Sequence, residues 1–257
     1  MSERATELLE ALGARRGILA AVGAGGKKTT LYQIFAAHPG RVALTTTTFI
    51  TSFGPELGAE ILVAPEDELE EKVRASRGRK VAYATPSDKP GRVAAVSGAR
   101  IDRLHREGRF DLTLVKADGA RSRLLKAPAP HEPSLPEATD TVLLVLSLQA
   151  LGQPLSEAIA HRPERVSALT GRALGEPVTI ADFVALYTHE NGLLQGTSGK
   201  RVIPVLNMVD DDRLLPAARA IAAATLAACP RFERFVLTSL KQPGYLVEVV
   251  RRSNYFF

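Results

Sequence analysis

The chain has 257 residues, of which 45% are hydrophobic, with a formal net charge of +5 at pH 7, one cysteine and no tryptophan. One cysteine excludes an internal disulfide and a cysteine-rich metal site, and the low aromatic content beside scattered arginines argues against a nucleic-acid partner. Because no apolar run approaches the about 20 residues that span a bilayer, and the first residues lack the layout of a secretory signal, we expect a cytoplasmic protein with no membrane segment.

The chain alternates short apolar runs with segments of helical periodicity. The predicted strands are 17–22, 41–46, 60–63, 80–84, 111–117, 141–148, 202–207 and 234–238. The predicted helices are 4–13, 29–37, 66–76, 99–107, 163–170, 179–189 and 213–228. Several runs, such as the one that begins at Thr141, are continuously apolar, which is typical of parallel strands buried on both faces.

This alternation predicts βαβ units and therefore an α/β fold, with a doubly wound, mainly parallel sheet of the phosphate-loop (P-loop) NTPase type. We predict one domain over residues 1–257. Helix signals and turns dominate from 149 to 200 without a clear strand, so this stretch is predicted to be a helical insertion. In such a sheet, ligands bind at the carboxyl ends of the strands.

The first predicted strand runs into a glycine turn that is followed by two lysines and two threonines. The residues of this turn are Gly23, Ala24, Gly25, Gly26, Lys27, Lys28, Thr29 and Thr30. Glycines allow positive φ, so backbone N–H groups can converge on an anion, and the following helix adds its N-terminal partial positive charge. We expect these residues to bind the phosphates of ATP or GTP; the alternative is a strand-to-helix turn with solvated lysines.

The position of the phosphate-binding lysine is ambiguous. The usual pattern has a glycine before the lysine and Ser or Thr after it, to reach Mg²⁺. Counting from the glycines makes Lys27 the phosphate lysine and puts Lys28 where the metal hydroxyl belongs. Counting back from the helix makes Lys28 the lysine and Thr29 the Mg²⁺ ligand. We favour Lys28 and Thr29, because a lysine cannot replace a metal-ligating hydroxyl whereas a loop can absorb an extra residue.

Two more oxygen ligands for Mg²⁺ are predicted at strand ends. Asp118 follows the apolar strand 111–117, where a carboxylate can complete a hard oxygen shell; a turn cap is the alternative, since Asp-Gly is itself a turn signal. Threonines 45–48 close the second strand, and only those past its end can face a ligand, so we take Thr47 as a metal ligand. The high β propensity of threonine is the alternative explanation of this run.

A segment with four prolines, from Arg121 to Pro136, also carries several charged residues. Long loops without regular structure are usually functional or disordered, and the prolines argue for order. We expect Arg121, Lys126 and His131 to be catalytic residues, together with Lys28 and Asp118, by meeting the charge of an acceptor or transition state. A satisfied surface histidine is the alternative for His131.

Two later motifs remain open. His161-Arg162 precedes a predicted helix and is either a cap with a charged surface or a pair that folds back over the site. Asn207 and Asp210 end strand 202–207, where GTPases place Asn-Lys-x-Asp to read guanine. Since Met208 replaces the lysine, we expect Asn207 and Asp210 to bind a nucleotide base without fixing it as guanine; a turn and helix cap is the alternative.

In this order, the motifs resemble the YqeC family of accessory proteins for selenium-dependent molybdenum hydroxylases. The resemblance is carried by Val22–Lys27, Thr45–Thr48, Ala117–Arg121, Lys126–Pro128, His131–Pro133, Thr139, Asp140, His161, Arg162, Asn207 and Asp210. It implies a P-loop NTPase-like protein that assists selenium or molybdenum cofactor maturation, with a hydroxylase or a cofactor intermediate as partner. The chain departs from the family pattern at Lys28, Lys116 and Met208.

The motifs and the resemblance together favour an enzyme that binds a nucleoside triphosphate with Mg²⁺ and hydrolyses it or transfers its phosphoryl group. One alternative is a nucleotide-sensing carrier or chaperone that delivers a cofactor without catalysis. A weaker alternative is an ATP-dependent ligase or kinase for a small acid. The identity of the base, the acceptor, the partner and the oligomeric state stay open.

Overall fold

The computed structural model describes residues 3–241 and 244–252. The helices are α1 (Glu3–Ala11), α2 (Lys27–Ala37), α3 (Glu66–Ala75), α4 (Gly98–Glu107), α5 (Pro163–Thr170), α6 (Ile180–Thr188) and α7 (Leu215–Ala228). The strands are β1 (Gly17–Gly23), β2 (Val42–Thr46), β3 (Ile50–Thr51), β4 (Glu60–Val63), β5 (Lys80–Ala84), β6 (Arg92–Val93), β7 (Leu112–Lys116), β8 (Leu125–Lys126), β9 (Thr139–Ser147), β10 (Ala160–His161), β11 (Arg201–Asn207), β12 (Arg234–Thr238) and β13 (Leu246–Arg251).

Nine strands form a sheet in the order β13-β12-β11-β9-β1-β7-β2-β5-β4. Neighbouring strands β1 and β7, β2 and β7, β2 and β5, β4 and β5, and β11 and β12 are parallel, whereas β12 and β13 are antiparallel. Strands β1, β2 and β7 are almost entirely buried, which explains their continuous apolar sequence. The fold is therefore the mainly parallel, doubly wound α/β class that the sequence predicts.

All eight predicted strands and all seven predicted helices are present, with ends within two residues of the prediction. The sequence did not predict β13, which lies at one end of the strand order and is mostly half-buried. It also missed the two-residue strands, among them β10 within 149–200, which pairs with β8. That 149–200 is an insertion stays a prediction.

The chain divides into two compact units. The first comprises the chain up to Ala21, Lys28–Gly119 and Ser134–Val142. The second comprises Val22–Lys27, Ala120–Pro133 and the chain from Leu143 onward. That the whole chain is one domain stays a prediction.

Each unit has its own packing. In the first, α3 packs against α4, β4 and β5. In the second, α6 packs against α5 and α7, and α7 packs against β12 and β13. Tyr187 and Phe235 meet edge to face there, with ring centroids 5.2 Å apart, and Tyr187 donates a hydrogen bond to Val205 O at 2.8 Å. None of the described helices is long and apolar enough to cross a membrane.

Candidate functional site

The glycine turn predicted from the sequence lies at the carboxyl end of β1, in the second unit. Gly23, Gly25 and Gly26 have φ values of +96°, +73° and +127°. A Cβ on Gly23 would collide with Val145 O, and one on Gly26 would collide with the side-chain amide of Asn207. Backbone conformation and close packing therefore both require glycine in this turn.

Hydrogen bonds from distant parts of the chain hold this loop. Ala24 N donates to Val145 O and Gly25 N donates to Arg123 O, both at 2.8 Å. Gly25 O accepts from Asn207 Nδ2 at 2.9 Å. The N–H groups of Ala24 and Gly25 are therefore bonded to the protein itself.

The two lysines at the start of α2 take different positions. Lys27 is buried, and its Nζ donates a hydrogen bond to Gly23 O, so its side chain folds back over the glycine loop. Lys28 is half-buried, and its Nζ lies 5.0 Å from the centroid of the Tyr32 ring, farther along the helix. Of the two ammonium groups, Lys27's is the one in contact with the loop.

The predicted Mg²⁺ ligands lie in the first unit. Thr46 pairs in register with Lys116, so β2 and β7 end side by side. Thr47 follows β2, and its N–H donates to Lys116 O at 3.1 Å while its hydroxyl donates to Ser134 O at 2.6 Å. Asp118 is buried two residues past β7. Thr47 and Asp118 therefore follow the ends of neighbouring strands, and their role as Mg²⁺ ligands stays a prediction.

Thr29 is half-buried in the first turn of α2. No group of three or more His, Cys, Asp or Glu able to hold a metal occurs in residues 3–241 and 244–252. A metal bound by one carboxylate and one or two hydroxyls would need oxygens from a ligand such as a phosphate to fill its shell. Thr29, Thr47 and Asp118 offer oxygens of the kind that Mg²⁺ binds, and that they hold one metal stays a prediction.

The lysine of the proline segment is not on the surface. Lys126 has a fully buried side chain, and its Nζ lies 2.9 Å from Glu132 Oε2. Arg162 Nη1 lies 2.8 Å from the same oxygen. Strand β8 places Lys126 opposite His161 of β10 in a parallel pair. Gln195 Nε2 donates to Ala129 O at 2.7 Å and also to Glu132 O. The segment is therefore ordered, as its prolines indicated.

The other two predicted catalytic residues of this segment, Arg121 and His131, are exposed. Arg121 has a left-handed backbone, with φ of +46°, and the next residue, Ser122, has φ of +58°. The side chains of Arg121 and His131 form no hydrogen bond or ion pair with any residue that the structure describes. Neither side chain is therefore held in place by the protein in the way that Lys126 is.

The His161-Arg162 motif combines a position at the start of α5 with a side-chain contact to Glu132, and its place relative to a nucleotide site stays open. Arg162 occupies the N-cap position of α5 with φ of +62° and makes no side-chain cap hydrogen bond. Its guanidinium instead contacts Glu132. Burial, and then the positive charges of Arg162 and Lys126, lower the pKa of His161 to about 4. His161 is therefore a neutral ring among cations at neutral pH.

The pair predicted to read a base, Asn207 and Asp210, contacts the protein. Asn207 is fully buried; its Nδ2 donates to Gly25 O, and its Oδ1 accepts from Thr238 Oγ1 at 3.0 Å. Asp210 Oδ1 accepts from Ser239 Oγ at 2.6 Å and from Leu240 N at 3.0 Å. Asn207 therefore supports the glycine loop, and base recognition by Asn207 and Asp210 stays a prediction.

Sequence reasoning missed the polar residues that end neighbouring strands of the second unit. Ser147 closes β9, and its hydroxyl donates to Met208 Sδ at 3.0 Å. A Cβ on Gly25 would collide with Ser147, so this residue also limits the shape of the loop. Thr238 closes β12 beside Asn207. The available signal was a polar residue at the carboxyl end of an apolar strand. The predictions above rest on that signal only at Asp118, Thr47 and Asn207.

The fold and this loop define a doubly wound α/β protein with a glycine turn at the carboxyl end of an inner strand. The family model described as YqeC protein matches residues 19–164, more than half of the chain, and the chain belongs to the YqeC family. This confirms the resemblance seen in the motifs. The chain is also 28% identical to "Uncharacterized protein YqeC" of Escherichia coli (strain K12) over 181 aligned residues. The aligned region covers 69% of this chain and 70% of that protein.

Proposed function

We propose that the protein binds a nucleoside triphosphate with Mg²⁺ and uses it in phosphoryl chemistry, as an accessory protein in the maturation of a selenium or molybdenum cofactor for a hydroxylase. The observation that carries the nucleotide part is the glycine loop, which the buried amide of Asn207 fixes at the start of α2. A loop of this kind, followed by a helix N-terminus, is a common phosphate-binding element. The accessory role rests on the family resemblance.

The sequence favours Lys28 as the phosphate-binding lysine, whereas the contact of Lys27 with the loop supports Lys27 in that role. The ammonium group of Lys27 contacts Gly23 O and so lies over the loop. From there it could neutralise the charge of a bound phosphate. Lys28 packs on Tyr32 and is the second choice. Thr29, Thr47 and Asp118 are the residues that would hold Mg²⁺. When bound, the metal would neutralise phosphate oxygens and so favour phosphoryl transfer.

The test of binding is thermal unfolding with ATP, GTP and CTP, each with and without Mg²⁺. A ligand at one hundred times its Kd stabilises the native state by about 2.7 kcal/mol, which is several degrees in Tm for a protein of this size. We expect one nucleotide to raise Tm only with Mg²⁺, and Lys27→Ala to abolish more of the shift than Lys28→Ala. No shift with any nucleotide would contradict the proposal.

The test of catalysis is phosphate release under conditions where binding is saturated. Steady release that is lost in Lys27→Ala or Lys28→Ala, with unfolding behaviour retained, supports a hydrolase. Tight binding with no release points to the nucleotide-sensing carrier, and an acyl phosphate trapped by hydroxylamine points to a ligase or kinase. Capture of a purified molybdenum hydroxylase that depends on the γ-phosphate tests the accessory role.

A further inference from the structure

Four basic residues of the second unit form what we call the cationic cluster: Lys126 and Arg162 contact Glu132, His161 pairs with Lys126 across β8 and β10, and the charge of Arg121 acts on His161. Glu132 Oε2 lies 2.9 Å from Lys126 Nζ and 2.8 Å from Arg162 Nη1, and it also accepts from Ala129 N at 2.9 Å. The parallel pairing of β8 with β10 sets Lys126 opposite His161. The carboxylate of Glu132 is thus the anchor of the cluster.

The cluster carries more positive than negative charge. The negative charge of Glu132 neutralises the charge of one of the two cations that contact it. The side chain of Glu132 is 12% exposed, and that of Lys126 is fully buried. Arg121 adds a third positive charge close enough to act on His161, and its side chain forms no ion pair in the part of the chain that the structure describes. The ring of His161 is neutral, so it can donate one hydrogen bond and accept another without adding charge.

The backbone of the cluster is held in an uncommon conformation. Six non-glycine residues in the described ranges have positive φ, and three of them are Arg121, Ser122 and Arg162. Such residues are infrequent and cluster at binding and catalytic sites, because the surrounding structure has to offset their strain. Two of the three carry the guanidinium groups of the cluster.

The cluster is joined to the glycine loop through the backbone of its own segment. Arg123 O accepts from Gly25 N at 2.8 Å, and Leu124 O accepts from Ser147 N at 3.1 Å. Arg121 is therefore only two residues from Arg123, whose carbonyl contacts the loop. A ligand at the cluster would lie in the same unit as the glycine loop.

We propose that the cationic cluster binds a phosphate or carboxylate group of a second substrate while the nucleotide occupies the glycine loop. This inference rests on the proposed function for the nucleotide, but the anion site stands on its own geometry. Arg121 supplies a planar, permanently charged donor that matches either anion, and Arg162 supplies the second. Neutral His161 supplies a hydrogen bond. Lys126 and Glu132 are positioning residues, since their charges are buried in a mutual ion pair.

The experiment measures binding of inorganic phosphate and, separately, of acetate to the full chain by NMR of the histidine ring C–H signals. The His161 signal is assigned by its absence in His161→Gln. Each titration is run without nucleotide and again with the nucleotide and Mg²⁺ that stabilise the protein. We expect saturable movement of the His161 signal with at least one anion, and an unchanged Kd when the nucleotide is present.

Arg121→Gln is the test variant and Arg109→Gln is its matched control. Arg109 is also exposed, also has positive φ, at 51°, and lies in the first unit. Removing one charge-assisted hydrogen bond is expected to weaken anion binding about tenfold or more in Arg121→Gln. Arg109→Gln removes the same net charge and is expected to change the Kd less than twofold.

The outcomes separate this inference from the proposed function. Equal weakening in both variants, or no movement of the His161 signal with either anion, overturns the anion site. Displacement of the anion by nucleotide overturns a second substrate and assigns the cluster to the nucleotide's own phosphates. If no nucleotide binds but the Arg121-dependent movement persists, the anion site is supported and the nucleotide function is contradicted.

Discussion

The glycine loop and the cationic cluster belong to the same unit, yet the protein satisfies their polar groups in opposite ways. In the loop, the N–H groups of Ala24 and Gly25 and the carbonyl of Gly25 all have protein partners. In the cluster, Lys126 and Arg162 share the carboxylate of Glu132, whereas the side chain of Arg121 forms no ion pair with any described residue. The loop is therefore fixed in shape before any ligand arrives, whereas the cluster is fixed in position but not balanced in charge.

The largest expected effect is on the cluster. Glu132→Gln leaves the buried ammonium of Lys126 without its carboxylate, and breaking a buried pair from one side costs about 3–5 kcal/mol. The measurement is the free energy of unfolding in urea. The control is Glu68→Gln, which breaks an exposed pair with Lys72 and is expected to lose less than about 1 kcal/mol. Equal losses in the two variants would show that the cluster is not anchored by Glu132.

The next effect is on the loop. Gly25→Ala combines a left-handed backbone with a Cβ that collides with Ser147, whereas Gly152→Ala has nearly the same φ, +77° against +73°, and open space around the Cβ. The backbone term is about 1–2 kcal/mol in both variants, and overpacking adds about 1–3 kcal/mol in Gly25→Ala alone. The difference between the two variants in free energy of unfolding, measured in urea, gives the contribution of packing alone. A difference near zero would mean that the loop can move away from Ser147.

A smaller effect is expected when the support of the loop is removed. Asn207→Ala leaves Gly25 O and the hydroxyl of Thr238 without their buried partner, which costs about 1–3 kcal/mol. The control is Asn191→Ala at an exposed position. We also expect Asn207→Ala to lose most of the nucleotide-induced rise in Tm. A full rise in this variant would show that loop shape does not depend on Asn207.

The smallest effect is a pH dependence that comes from the cluster. The pKa of His161 is about 4 in the folded chain and about 6.5 when the chain is unfolded, so the unfolded state binds more protons between these values. The contribution of His161 to the free energy of unfolding is therefore fully present above about pH 6.5 and is lost as the pH falls toward 4. The slope of unfolding free energy against pH in this window is expected to be shallower in His161→Gln. An unchanged slope would show that neither burial nor the charges of Arg162 and Lys126 lower the pKa of His161 in the folded chain.

The sequence predicted the sheet well because its inner strands are continuously apolar. The run at Thr141 and the other buried strands were found to within two residues. Strand β13 was missed because it is half-buried and has no long apolar run. Strands β8 and β10 were missed because two residues give no periodicity to detect.

The site was predicted less completely, since its contacts join residues far apart in the chain. From the sequence, Lys126 is expected to be catalytic, and nothing local indicates that it is buried. Its side chain is fully buried in contact with Glu132, which Arg162, 36 positions further along the chain, also contacts. The sequence does not indicate that the amide of Asn207 donates to Gly25 O, 182 positions earlier. Local patterns identify which residues are polar at strand ends but not which of them pair with one another.

The hydrogen bonds of the glycine loop have a consequence for how the protein is made. Residues 24 and 25 depend on acceptors and donors at Arg123, Val145 and Asn207, so the loop is among the most non-local contacts of the chain. Contacts with large sequence separation form late, because the chain loses much entropy when it closes such long intervals. A growing chain in which Asn207 has not yet been synthesised cannot complete the loop, although the loop's own residues lie about 180 positions earlier. The loop therefore becomes ready for a ligand only when most of the polypeptide has folded.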